Sequence, residues 1–140
     1  MNGKQPHVPV LKLITQKEFV GLYLSTLDDY IYRPLVNNQR HFRINKLLQD
    51  YGYALDLSGL NLRNLNFRCA DFSGLNLKGA DLRGAACNWA SFSKAKIEGV
   101  LFDAQTRLFE SNFAEHQIEV LGLSESVIAS IKITSIQDPA

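Results

Sequence analysis

The sequence is poor in the residues that carry most protein chemistry. Its 140 residues include two cysteines, three histidines, four prolines, one methionine and one tryptophan. It has no excess of either charge, because 15 basic against 14 acidic side chains leave a net +1. No global field therefore recruits nucleic acid or an anionic membrane. No apolar run approaches the ~20 residues of a membrane span. The segment Met1-Asn2-Gly3-Lys4-Gln5-Pro6 has neither the apolar core nor the small-residue cleavage site of a Sec-type signal, so a cytoplasmic location is expected. A phosphate loop and the GxGxxG, GxSxG and HExxH patterns are all missing, and nothing points to an enzyme. His7, His41 and His116 are scattered, so no metal and no cofactor are expected.

What the chain does have is an unbroken period of five. From Leu55 to Ala104 the central positions are Leu57, Leu62, Phe67, Phe72, Leu77, Leu82, Cys87, Phe92, Ile97 and Phe102. Two residues before each comes a second apolar residue: Leu55, Leu60, Leu65, Ala70, Leu75, Ala80, Ala85, Ala90, Ala95 and Val100. On a helix, steps of five smear these residues around the axis. On a straight strand, an odd step sends every second one to the wrong face. A chain that turns a corner every five residues keeps them all inward. Gly59, Gly74, Gly79, Gly84 and Gly99 fall at the corners, where a tight bend favours a residue without Cβ.

The segments Ala70-Asp71-Phe72-Ser73-Gly74 and Ala80-Asp81-Leu82-Arg83-Gly84 resemble the A(D/N)LXX unit of the pentapeptide-repeat family. The resemblance implies a mainly β solenoid, a right-handed quadrilateral β-helix with four units per coil. Residues 55–104 would make about two and a half coils, a stack roughly 12 Å tall at the ~4.8 Å spacing of adjacent strands. Such a stack exposes unpaired edges at both ends and needs caps. Residues 1–54 and 105–140 are expected to supply them.

In the first of these segments, Val8 to Ile14 reads as an edge strand or a tail. Thr15-Gln16-Lys17-Glu18 reads as a capping box for a helix carrying Phe19, Leu22, Leu24 and Leu27. Pro34 closes that segment or forces an extended stretch before it. A second helix is predicted around residues 38–51, burying Phe42, Leu47 and Leu48 and stopping at Gly52. Four of the first five upstream residues are Leu, bulk that suits a core shared with these helices. In the C-terminal segment two helices, near 111–121 and 124–135, are separated by Gly122. A rival reading continues the period through Leu108, Phe113, Ile118, Leu123, Ile128 and Ile133, shifted by one residue. It is disfavoured because His116 and Ile131 would fall at the small inward position.

Outward residues sort into faces when position n stacks on n+20. Arg63, Arg68, Arg83 and Trp89 then point outward around two adjacent faces, a combination suited to a protein-binding patch. The alternative for Trp89 is that it folds over Cys69 or lies beneath a terminal helix. Arg40, Arg43 and Lys46 recur every three residues on the second predicted helix and form a secondary candidate, for an acidic partner. Asp56, Asp71 and Asp81 precede central residues, where turn hydrogen bonding accounts for them. Cys87 is inward and Cys69 outward, so no disulfide is expected between them.

The best understood members of the resembled family match a DNA duplex in size and charge and bind type II topoisomerases. Such mimicry needs a long acidic rod. Within 55–104, six basic residues (Arg63, Arg68, Lys78, Arg83, Lys94, Lys96) face five acidic ones (Asp56, Asp71, Asp81, Glu98, Asp103), which disfavours that role. The expected function is a non-enzymatic protein–protein interaction module, an adaptor or inhibitor. Its partner would be another protein, with no small-molecule substrate, no direct nucleic-acid binding and no membrane. Some members from intracellular bacteria are exported into host cells, so an effector acting on a host protein is one form of this reading. A structural module that homodimerises through an uncovered coil end is the remaining alternative.

Overall fold

The computed structural model describes residues 11–31 and 42–134. Its frame is a set of parallel ladders whose rungs are one coil apart. On the first face Asp56 pairs with Asn76 and Asn76 with Lys96; on the second, Asn61 pairs with Asp81 and Asp81 with Leu101. The third face runs Asn66, Ala86, Arg107, and the fourth Asp71, Ser91, Asn112. Four five-residue units thus make one coil, and each rung meets its neighbour through backbone bonds such as Leu57 N–H to Asn76 O at 2.8 Å. The period of five becomes a β-helix solenoid because every unit ends in a bend. Gly59, Gly74, Gly79, Gly84 and Gly99 all adopt positive φ at those bends. At Gly84 a Cβ would fall 2.1 Å from Asn64 Oδ1, so both the bend and the neighbouring coil require glycine there.

The central residues fill the interior. Leu57, Leu62, Phe67, Phe72, Leu77, Leu82, Cys87 and Phe92 are fully buried. Along the fourth face the rings form a continuous column. Phe72 stacks on Phe92 at 4.8 Å and Phe92 on Phe113 at 4.9 Å, distances equal to one coil step.

Helix α1 (Gln16–Ile31) begins at the expected capping box. Thr15 Oγ1 accepts from Glu18 N–H at 3.2 Å, and Glu18 Oε1 accepts from Thr15 N–H at 3.0 Å. The helix lies across the open end of the first coil, inserting Phe19 and Tyr23, both fully buried, against Phe67. Its apolar stripe therefore runs through Tyr23; Leu24 is exposed, and the side chain of Leu27 lies outside the described residues. Gln16 behaves as a substitute strand. Its carboxamide accepts from Asn61 N–H at 2.6 Å and donates to Asn61 O. Tyr23 Oη donates to Asn66 O at 2.7 Å. The preceding segment is extended at Lys12, which pairs in parallel with Tyr53.

The second predicted helix is shorter than its pattern suggests. Phe42–Arg43 is a strand, β1, paired in parallel with β2 (Ala70–Asp71), and only Ile44–Asp50 is helical, α2. The unpaired edge of the fourth face outcompetes helix propensity at those two residues. Phe42, Leu47 and Leu48 are buried as expected, while Pro34 and Arg40 lie outside the described residues.

The ladder also extends beyond residue 104. The unit after Leu101 holds six residues, so Ala86 pairs with Arg107 and Ser91 with Asn112, and Leu108 and Phe113 enter the core. Both C-terminal readings are therefore realised in succession. After β3 (Asn112–Ala114) come α3 (Glu115–Leu121) and α4 (Glu125–Ser130), separated by Gly122 at φ 60°. The chain then returns as β4 (Lys132–Thr134), parallel to β3. Helices take over where His116 would have occupied the small inward position. Gln117, 2% exposed, seals this end: it donates to Phe92 O (2.7 Å) and Ala95 O (3.0 Å) and accepts from Ala114 N–H (2.8 Å).

Candidate functional site: an arginine–aromatic ridge

Six units carry Asp or Asn just before the central residue, and in each its Oδ1 accepts the amide two positions on. Asp56 to Ser58, Asn61 to Arg63, Asn66 to Arg68, Asp71 to Ser73, Asn76 to Lys78 and Asp81 to Arg83 all bond at 2.9–3.1 Å. The aspartates are turn residues, as the sequence indicates. These turns aim the next side chain, three times an arginine, away from the stack.

The four predicted site residues fall into two pairs, on opposite corners of the third face. Arg63 and Arg83 stand at the corner leading into it. Arg83 forks onto Asp81 with Nε–Oδ1 at 2.9 Å and Nη2–Oδ2 at 2.8 Å, and Arg63 Nε lies 3.9 Å from the same carboxylate. The Arg83 hydrogen bonds, opposed by desolvation, hold the Asp81 carboxyl down at about 2. These two cations are largely committed inside the molecule.

Arg68 and Trp89 meet at the other corner. The Arg68 guanidinium carbon sits 5.3 Å from the Trp89 ring centroid, a cation–π contact. On the next coil Phe109, 51% exposed, stands edge-to-face with Trp89 at 6.0 Å and 88°. Trp89 keeps 38% of its surface exposed, so it is not buried beneath a terminal helix. The result is a ridge that climbs the stack: Arg68, Trp89, Phe109. Glu110 and Lys132 close its upper end with an ion pair at 3.2 Å.

The unit that carries Trp89 breaks the repeat's own rules. Trp89 has φ 61°, a left-handed corner it shares with Cys69 (φ 61°) below and Glu110 (φ 57°) above, so no coil places glycine at this corner, and the bulkiest of the three carries the greatest strain. Ala86 replaces the Asp or Asn that would cap the turn. The Oδ1 of Asn88 is buried with no hydrogen-bond partner among the described residues. Cys87, at the centre, is fully buried, and burial pushes its thiol well above the ordinary range. Cys69, beneath the ridge, is also raised, first by desolvation, so neither thiol is a poised nucleophile.

The family model for pentapeptide repeats (8 copies) matches residues 54–84 and 70–103. The chain carries pentapeptide repeats. Their fold in general is the right-handed β-helix solenoid, and repeats of this family are commonly protein-interaction modules, generally without enzymatic activity. A comparison with curated proteins finds no match. The match ends at 103, within the six-residue unit that follows Leu101, whereas the ladder itself continues to Asn112.

Phe109 is the ridge residue that the sequence reading missed. Applying the shifted period at Leu108 would have placed Phe109 above Asn88, diagonal to Trp89. The secondary candidate does not assemble as predicted. Arg43 is on β1 and Lys46 on α2, where Lys46 pairs with Asp50 at 3.3 Å, so the two do not share a helix face. Among the described residues no group of three or more His, Cys, Asp or Glu could hold a metal ion, and no helix is long and apolar enough to cross a membrane.

Proposed function

We propose that the protein is a non-enzymatic interaction module, an adaptor or inhibitor, that binds another protein through the ridge of Arg68, Trp89 and Phe109. Arg63 and Arg83 border the surface from the far corner of the same face. The observation that carries this reading is the exposed contact chain in which Arg68 lies 5.3 Å from the Trp89 ring centroid and Trp89 meets the half-exposed Phe109 edge-to-face. Large aromatic surface left in solvent beside an arginine is apolar area that a partner can cover. Tryptophan and arginine are the residues that most often dominate binding energy. The arginine-lined surface is the opposite of an acidic duplex mimic, so a role on a topoisomerase by that route is not favoured. A cytoplasm, that of the producing cell or of a host, is the setting this function fits.

The test is affinity capture with the parent protein and with the Trp89→Gly and Arg68→Ala variants. A protein retained by the parent and lost by both variants, with unchanged melting curves, is the expected result. Identical retention by all three would move the site elsewhere, first to Arg43 and Lys46.

A second reading has its own support. Ile133 on β4, at the upper end of the fourth face, is 44% exposed, and Val120 is 56% exposed. Ile133 continues the inward column above the buried Phe113, so an uncovered end strand with Val120 of α3 also exposed suits homodimerisation. A mass near 15.7 kDa, independent of concentration in sedimentation velocity, would sink it.

A further inference from the structure

We propose that the ridge takes an acidic peptide segment of its partner in polyproline II conformation, lying obliquely across the coils with one carboxylate on Arg68 and another on Arg107. The inference rests on the ridge being the interaction surface. Charge bookkeeping around the third face identifies what is unpaired. Arg63 and Arg83 face Asp81, and Lys132 faces Glu110. Arg68 and Arg107 are both exposed, and among the described residues neither has a carboxylate within 4.0 Å. The uncompensated charge is therefore positive and flanks the ridge, on Arg68 at its foot and on Arg107 beside Phe109.

The ladder sets the spacing. Arg68 belongs to the first coil and Arg107 to the third, with Asn66, Ala86 and Arg107 stacked on one face. Two coil steps of ~4.8 Å separate them by roughly 10 Å along the axis, and Arg107, in the column of Asn66, is offset by two residues, roughly 7 Å, from the column of Arg68. A four-residue polyproline II segment spans about 9 Å and returns its first and fourth side chains to one face; the length of glutamate and arginine side chains covers the remainder, and the planar guanidinium forks suit carboxylates. An apolar side chain between them would lie against the exposed parts of Phe109 and Trp89. Ala86, the small outward residue midway up the face, leaves room for the peptide backbone. Single-stranded nucleic acid fits less well. Stacking needs a free ring face, but the Trp89 ring is already covered by Arg68 at 5.3 Å and flanked by a perpendicular Phe109.

Trp89 is the one tryptophan in the chain, so its fluorescence reports the ridge. The full chain is titrated with blocked Glu-Leu-Pro-Glu, blocked Gln-Leu-Pro-Gln and a short oligothymidylate. A saturable fluorescence change with the Glu peptide is expected, weakened about tenfold or more by the Gln peptide, by Arg68→Gln and by Arg107→Gln. Equal binding of the Glu and Gln peptides overturns the acidic class while leaving the ridge as a binding surface. Binding of the oligonucleotide in preference to the peptides also overturns the proposal. If no probe changes the fluorescence, the peptide inference fails, and the capture comparison of Trp89→Gly with the parent separately decides whether the ridge binds a partner at all.

Discussion

Trp89 and Asp81 show how single residues of a regular repeat serve different ends. Trp89 occupies a left-handed corner, as Cys69 and Glu110 do in the coils below and above it, so replacing it by glycine trades backbone relief for lost ring contacts. Relief of roughly 1–2 kcal/mol is set against a cation–π contact and an aromatic pair worth a similar total. Trp89→Gly is therefore expected to leave the urea midpoint close to the parent's, and a large loss of stability would show that the ring is structural. Asp81 instead anchors Arg63 and Arg83. Its carboxyl sits at about 2 in the folded chain, below the ordinary aspartate value of 3.8. A depressed carboxylate stabilises the fold fully above its unfolded value, and that contribution is lost as pH falls through the window between the two. Stability measured from pH 5 down to about 2 should decline in the parent, and Asp81→Asn should remove part of that slope. An unchanged slope would count against the Arg83 pairing.

At the scale of elements, both ends of the solenoid are closed by a glutamine carboxamide acting as a piece of strand. Gln16 serves one exposed backbone residue, Asn61, at the first coil, whereas Gln117 is buried and bonds three backbone groups at the other end. Deleting a buried partner leaves its backbone groups dry, at about 1–3 kcal/mol for each. Gln117→Ala should lower stability by at least ~2 kcal/mol, while Gln16→Ala should cost about 1 kcal/mol. Gln117→Glu should be worse than alanine, because a carboxylate cannot donate to Phe92 O and Ala95 O. Urea titration of the three variants measures the ranking; equal effects at the two ends would contradict the difference in burial. The short α2 and the strand before it obey the same rule, since an open sheet edge recruits whatever backbone is nearest.

For the whole molecule, the boundary that matters is where the ladder stops. Arg107 N–H bonds Ala85 O and Asn112 N–H bonds Ala90 O, and Leu108 and Phe113 roof the third and fourth faces. A chain ended at residue 104 keeps every unbroken five-residue unit but loses that roof and Gln117. It should show no cooperative thermal transition by circular dichroism, and a cooperative melt matching the parent's would refute a continuous core. Phe92→Ala, which empties the middle of the ring column between Phe72 and Phe113, should cost about 3–5 kcal/mol in the full chain.

The sequence by itself determined the solenoid, because a period of five has one geometric solution that keeps every central residue inward. It also determined the turn role of the aspartates, the capping box at Thr15 and the outward direction of Arg63, Arg68, Arg83 and Trp89, since each depends on residues a few positions apart. Only the tertiary structure decided how those four divide. Whether an arginine is free or tied depends on a carboxylate brought near by the coil, as Asp81 is to Arg63 across eighteen positions. Phe109 lies between the two cases. The extra residue in the unit after Leu101 breaks the main period, and the shifted period through Leu108 and Phe113 carries the new register, but only the ladder bonds chose that register over a helix at this point and set Phe109 beside Trp89.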